Sequence, residues 1–271
     1  MRLPLILCLF ISLLVCAGCG TRDADDLASV HAAKVLRIGV KADTPPYGLM
    51  RGGARQGFDV DLAMAVASRL GVEPAFVTVT SADRIPKLLA GEVDCVIASM
   101  TITRTREQQV DFSVPYFQDG QALLVRSASP VQSYQDLVGK KVAFVKGSTS
   151  GTYLKQVAPE AIGIEIDGFK DLLATLEDGR ADAITSDLLI LIGLRKSAQN
   201  AADLRLAGSR FTTEPYGIAV RQNQSELRDA LNLTLMEMWE DGSWRQIADT
   251  WFGPGAPYEH RITFAMPVVP K

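Results

Sequence analysis

The chain has 271 residues, of which 47% are apolar and 22% charged. That length suits one large domain or two smaller ones, and the composition is that of a soluble globular protein. The net charge is −3, with both signs dispersed and no basic stripe, which excludes the usual electrostatic footprint of a nucleic-acid binder.

The N-terminus reads as a leader. Arg2 is a minimal positive region, and residues 5–15 form an apolar run too short to span a bilayer comfortably. The run ends in Cys16-Ala17-Gly18-Cys19. Small residues before a cysteine fit a lipoprotein signal over residues 1–18, with cleavage before Cys19 and lipid on its thiol. Cys16 stands where leucine is commoner, so an ordinary secretory signal or a retained anchor is the other reading. Residues 19–33 are polar and acidic and read as a tether.

Helical and strand patterns then alternate. Val35–Val40 and residues 75–79 and 93–98 are short, largely apolar runs that suit covered strands. Residues 59–70 and 81–90 have helical spacing and stop at Gly71 and Gly91. This βαβαβ order implies a parallel sheet with helices on its faces. A second unit follows. Ser133 through Asp136 reads as a helix start, with Asp in place of the usual Glu or Gln. Strands are expected at Lys141–Val145, Ile162–Ile166 and 181–185, and helices near 149–158 and 170–177. VDCVIAS and ADAITSD are alike, and each follows a helix closed by glycine, Gly91 or Gly179. Two α/β lobes of similar construction follow from that repetition. Residues 216–221 read as a further strand, 226–240 and 244–252 as helices, and the tail after Pro254 as a surface segment.

The cysteine and histidine inventory excludes several chemistries. Cys8, Cys16 and Cys19 belong to the leader, leaving Cys95 inside an apolar strand. One cysteine makes no internal disulfide, and its apolar setting offers nothing to activate the thiol. His31 and His260 lie near the two ends, so no histidine-based metal site or catalytic triad is available.

Candidate binding residues sit at strand exits, where open α/β sheets hold ligands. Ser99, Thr101 and Thr103 follow the third strand, and Arg106 lies just beyond. Hydroxyls with a guanidinium fork make a carboxylate site; a polar loop with a surface arginine is the other reading. Gly147-Ser148-Thr149-Ser150 opens a helix, whose N-terminal N–H groups either form an ordinary cap or hold an anion. Asp187 follows the strand at 181–185 and opens another helix, where it reads as an N-cap.

Several of these segments, in order from about residue 35 to 252, resemble the extracytoplasmic amino-acid-binding proteins of ABC importers, in the polar amino-acid class. The motif of that family has the form A-[GS]-x-T-I-T-x-x-R-x-x-x-x-D-F-S. Here it reads Ala98-Ser99-Met100-Thr101-Ile102-Thr103-Arg104-Thr105-Arg106, then Asp111-Phe112-Ser113. The resemblance implies a type II periplasmic-binding-protein fold: two Rossmann-like α/β lobes joined by a two-strand hinge. Residues 34–122 and 216–271 would form one lobe and 123–215 the other. Crossings would lie near 121–125 and 213–217.

The resemblance also implies roles. Arg106, with Ser148 and Thr149, would hold the ligand carboxylate. Asp187, the Ser99 carbonyl and Thr101 would hold its ammonium, and Tyr47 after Pro45-Pro46 would cover it. Thr80-Ser81-Ala82-Asp83-Arg84-Ile85-Pro86 resembles the T-S-A-N-R-I-P pattern of the aspartate/glutamate branch, so Ser81 and Arg84 would reach a side-chain carboxylate, with Lys41 as a second cation. Val145, Phe169 and Asp83 depart from that branch, and Asp83 is a possible partner for Arg84. The expected function is an extracytoplasmic, lipid-anchored, monomeric binding protein. It would deliver a polar, acidic amino acid to a membrane permease without a cofactor or catalysis. A binder of glutamine or another polar amino acid, a cyclohexadienyl-dehydratase-like enzyme, and a sensor or adhesin are the alternatives.

Overall fold

The computed structural model describes residues 26–266; the leader, Cys19 and the tether up to residue 25 lie outside them. Helix α1 (Asp26–Ala33) occupies the stretch whose composition suggested a continuing tether. It is held down rather than free: Val30 is buried, Asp26 pairs with Arg221 at 2.5 Å, and the Asp26 N–H donates to Gln224.

Strand β1 (Val35–Val40) leads into three short strands, β2 (Asp43–Thr44), β3 (Gly48–Arg51) and β4 (Ala54–Gln56), which form an antiparallel sheet of their own. Their two-to-four-residue lengths leave no periodicity to read in the sequence. Then come α2 (Phe58–Arg69), β5 (Glu73–Thr78), α3 (Arg84–Leu89), β6 (Cys95–Val96), the single turn α4 (Arg104–Glu107) and β7 (Val110–Phe112). Strand β8 (Phe117–Asp119) leaves this lobe, and β9 (Gln121–Arg126) enters the second.

The second lobe contains β10 (Lys141–Val145), α5 (Ser150–Val157), β11 (Ile162–Ile166), α6 (Phe169–Glu177), β12 (Ala183–Asp187), α7 (Leu188–Ser197) and β13 (Leu204–Ala207). At Ser133 the expected helix is only one 3-10 turn, Tyr134–Leu137, although Asp136 does close the capping box. The chain returns along β14 (Glu214–Tyr216) to β15 (Ala219–Arg221), then α8 (Ser225–Glu240) and α9 (Ser243–Phe252).

Each lobe holds a five-stranded sheet, ordered β5-β1-β6-β15-β7 in the first and β11-β10-β12-β9-β13 in the second. The sheets are mixed rather than parallel throughout. The βαβαβ units supply parallel pairs, but β15 runs antiparallel to β6 and β7, and β9 antiparallel to β12 and β13. Gln121 and Ala122, assigned to the first lobe in the sequence reading, pair with Asp187 and Ser186 in the second sheet. Between the lobes β8 and β14 form a two-stranded antiparallel ribbon.

An aromatic cluster anchors that ribbon. The Phe117 ring lies within 6.4 Å of Tyr47, Phe58, Tyr216, Trp244, Phe252 and Phe264. Trp244 is fully buried and donates to the Tyr116 carbonyl at 2.9 Å. The tail expected on the surface instead plants Phe264 and Met266 in this core; two apolar side chains provide the driving force.

Candidate ligand-binding site

Strand β6 pairs only at Cys95 and Val96, although residues 93–98 are all buried. The chain turns out of the sheet at Ser99, which adopts φ +42°. Such a value is uncommon for a residue with a side chain, and neighbouring bonds hold it there. Its N–H donates to Asp59 Oδ2 at 2.7 Å, and Tyr116 donates to Asp59 Oδ1 at 3.0 Å. Burial raises the Asp59 carboxyl to about 7 against those bonds.

Beyond the turn, Thr103 caps α4 by accepting from the Arg106 N–H at 3.2 Å. This cap orients Arg106 back toward the sheet. Its guanidinium donates to the Thr101 carbonyl at 2.7 Å and to the Gly147 carbonyl of the other lobe at 3.1 Å. Burial pulls Arg106 below its ordinary value, while Glu214 and Asp187 oppose the shift.

The second lobe presents the turn before α5. Gly147 has φ +75° and lies so near the first lobe that a Cβ would sit 2.6 Å from the Ser81 carbonyl. Only glycine fits there. Ser148 turns its hydroxyl inward, donating to the Val145 carbonyl at 2.6 Å. Thr149 occupies the N-cap of α5 without a side-chain cap bond. It donates instead to Glu214 Oε2 at 2.5 Å, and Thr101 of the first lobe donates to the same oxygen at 2.7 Å.

Asp187 caps nothing with its side chain despite its N-cap position. Its oxygens accept from Gln121 at 2.5 Å and from the Tyr216 hydroxyl. Burial, Glu214 and Asp119 together raise it well above the ordinary carboxylate range. Gln121 also donates to Glu214 Oε1 at 2.7 Å, so one amide bridges two buried carboxylates. Glu214 and Gln121 were missed in the sequence. Both belong to strands at the lobe crossing, and nothing local marks them.

A basic wall closes the other end. Arg84 donates to the Ala98 carbonyl at 2.8 Å, while its buried Nε has no partner. Asp83, expected as its counter-charge, pairs with Lys87 at 3.1 Å and faces outward. Lys41 donates to Ser81 Oγ at 2.6 Å, and its ammonium lies 5.2 Å from the centre of the Phe169 ring. Burial and Arg84 lower Lys41 to about 7. Among the described residues neither Arg84 nor Lys41 makes an ion pair.

These walls surround a cavity of about 20 Å³, room for about one water. Ser81, Arg84, Ser99, Thr101, Ser148, Thr149 and Asp187 line it, with Gln121 and Phe169. Arg106 and Lys41 stand immediately behind, through their bonds to Thr101 and Ser81. Tyr47 does not reach it. That side chain is fully buried among aromatic rings and donates to Asp119 at 3.2 Å. Its position in the turn after β2 aims it at the lobe junction. A larger hollow of about 580 Å³ lies in the second lobe beside Arg126, Glu177 and Asn200 and shares none of these lining residues. Cys95 is fully buried, which raises its thiol.

Residues 36–254 match the family of bacterial extracellular solute-binding proteins, family 3. Over 256 residues the chain is 38% identical to the ABC transporter glutamine-binding protein of Bacillus subtilis, covering 89% of this chain and 93% of that one. It is 32% identical over 245 residues to the glutamate-binding protein of Corynebacterium efficiens, covering 85% and 83%. An ancestral arginine-binding protein solved with arginine superposes with a TM-score of 0.78 at 42% identity, covering 81% of this chain and 99% of that one.

Proposed function

Because the chain belongs to the bacterial extracellular solute-binding proteins of family 3, we propose that it binds an acidic amino acid, glutamate or aspartate, for an ABC importer. The observation carrying the acidic choice is the basic wall. Arg84 and Lys41 are both buried, and no carboxylate among the described residues makes an ion pair with either, although Asp43 and Asp59 act on Lys41 from farther off. An uncompensated buried charge is costly, and an anionic side chain arriving there removes the cost. A guanidinium ligand would instead meet two like charges.

In this reading Arg106 and the N-terminus of α5 receive the α-carboxylate. Asp187, with Thr101, receives the ammonium, and Ser81, Arg84 and Lys41 receive the side chain. The cavity is too small for an amino acid, so the ligand enters when the lobes part along β8 and β14 and is enclosed when they return. Closure is favoured by the ligand's greater affinity for the closed form, and that form is what a permease reads. Lipid on Cys19 would keep the protein at the membrane.

Glutamine is the second reading, favoured by the Bacillus subtilis relative. Calorimetric titration of the ligand-stripped protein with all twenty amino acids tests both. Tight binding of glutamate or aspartate alone supports the acidic pocket. Preference for glutamine or arginine refutes it while keeping the clamp. No binding by any, with turnover of a cyclohexadienyl acid, moves the protein to enzyme chemistry.

A further inference from the structure

Helix α6 begins without a cap from its own lobe. Gly168 occupies the N-cap position and has no side chain to accept a bond. The acceptor comes across the cleft: Asp43 Oδ2, in β2, accepts from the Phe169 N–H at 3.0 Å. Its other oxygen accepts from the buried Thr44 hydroxyl at 2.9 Å, which fixes the carboxylate toward α6. The approach is tight, since a Cβ on Gly168 would lie 3.2 Å from Asp43 Oδ2. One helix over, α7 makes a parallel contact. A Cβ on Gly193 would lie 2.3 Å from the Pro45 carbonyl oxygen, so that close approach requires glycine. Phe169 also lines the ligand cavity and carries its ring beneath Lys41.

We propose that Asp43 is a positioning residue for lobe closure. It is a helix cap supplied by the opposite lobe, made while the lobes are together and broken when they part. It holds Phe169 and the N-terminus of α6 in place without touching the ligand. A carboxylate at a helix N-terminus satisfies an orphan N–H and complements the helix dipole. Because the bond exists in the closed form alone, it strengthens the binding of ligands of one side-chain charge by the same factor, while the Asp43 charge, which also acts on Lys41, sets acidic ligands apart from neutral ones. The typical worth of an N-cap sets that factor at about fivefold.

The inference rests on closure by lobe movement, so the test separates the two. Full-length wild type, Asp43→Ala and Asp43→Asn are stripped of ligand and compared by small-angle scattering. They are then titrated with every amino acid that wild type binds, with dissociation followed by stopped flow. The Asp43→Ala protein is expected to show a larger ligand-free radius of gyration. Among ligands of equal side-chain charge it should bind each about fivefold more weakly, by a common factor, through faster dissociation. Asn still accepts the bond, so Asp43→Asn should stay within about twofold of wild type. An unchanged radius and affinity in Asp43→Ala would overturn the proposal. So would a loss confined to acidic ligands, or an Asp43→Asn protein as weak as Asp43→Ala. If wild type binds no amino acid, the underlying reading fails on its own titration while the scattering comparison still judges the cap.

Discussion

The basic wall makes ligand affinity depend on pH in a calculable way. Burial and Arg84 hold Lys41 at about 7 in the unliganded protein. An anionic side chain beside it favours the ammonium and raises that value in the complex. Between pH 7 and the raised value, binding an acidic ligand therefore takes up a proton, and affinity falls as pH rises. At pH 6 the lysine is charged before binding, whereas at pH 8 it is about nine-tenths neutral. The loss of affinity for glutamate over that interval is about tenfold, or about 1.4 kcal/mol. Asp59 and Asp119, also held at about 7 by burial, ionise over the same range and weaken anion binding further. Lys41→Met separates the contributions: it removes the lysine's share and spares the fold a desolvated charge. Calorimetry in buffers of different ionisation enthalpy measures affinity and proton uptake together. Equal pH slopes for glutamate in wild type and Lys41→Met, or an equal slope for glutamine, would refute the reasoning.

Other outcomes follow from the same geometry. Arg106→Ala should cost about 2–5 kcal/mol of amino-acid binding, as expected for removing one partner of a buried charged pair; calorimetry showing wild-type affinity would rule this site out. Asp187→Asn should abolish the preference for an α-amino acid over its deaminated analogue, read by competition between glutamate and glutarate. Trp244→Ala empties a fully buried site and orphans the Tyr116 carbonyl, so urea unfolding should show a loss of about 3–5 kcal/mol. For stability, the sign at Lys41 is set by its lowered value: between pH 7 and 10.5 the unfolded chain holds more protons there. Denaturant titrations should accordingly show the Lys41→Met advantage shrinking as pH rises through that window.

Much of the lobe architecture was legible because its elements are locally marked. Lys141–Val145 and Ile162–Ile166 appear as strands with the expected bounds, and Gly71, Gly91 and Gly179 adopt the positive φ expected of helix-ending glycines. The residues around Ser99 and Arg106 were found because hydroxyls and an arginine cluster at a strand exit. Asp43, Gln121 and Glu214 were not, since each is a lone polar residue in a short strand whose partners are distant in sequence.

Periodicity and glycine stops thus determined most of the longer secondary elements and the two α/β lobes, and strand-exit chemistry the candidates Ser99, Thr101 and Arg106, while Thr149 and Asp187 became candidates through the family resemblance. These features depend on the order of neighbouring residues, which the sequence contains. Tertiary structure decided the remainder: the antiparallel return of β15, the burial of Tyr47 and Phe264, and the pairing of Asp83 with Lys87 instead of Arg84. It also decided that Glu214 receives hydroxyls from both lobes. Apart from the local Asp83–Lys87 pair, these depend on how segments pack across a sheet or cleft, and the Thr101–Glu214 bond joins residues more than a hundred positions apart.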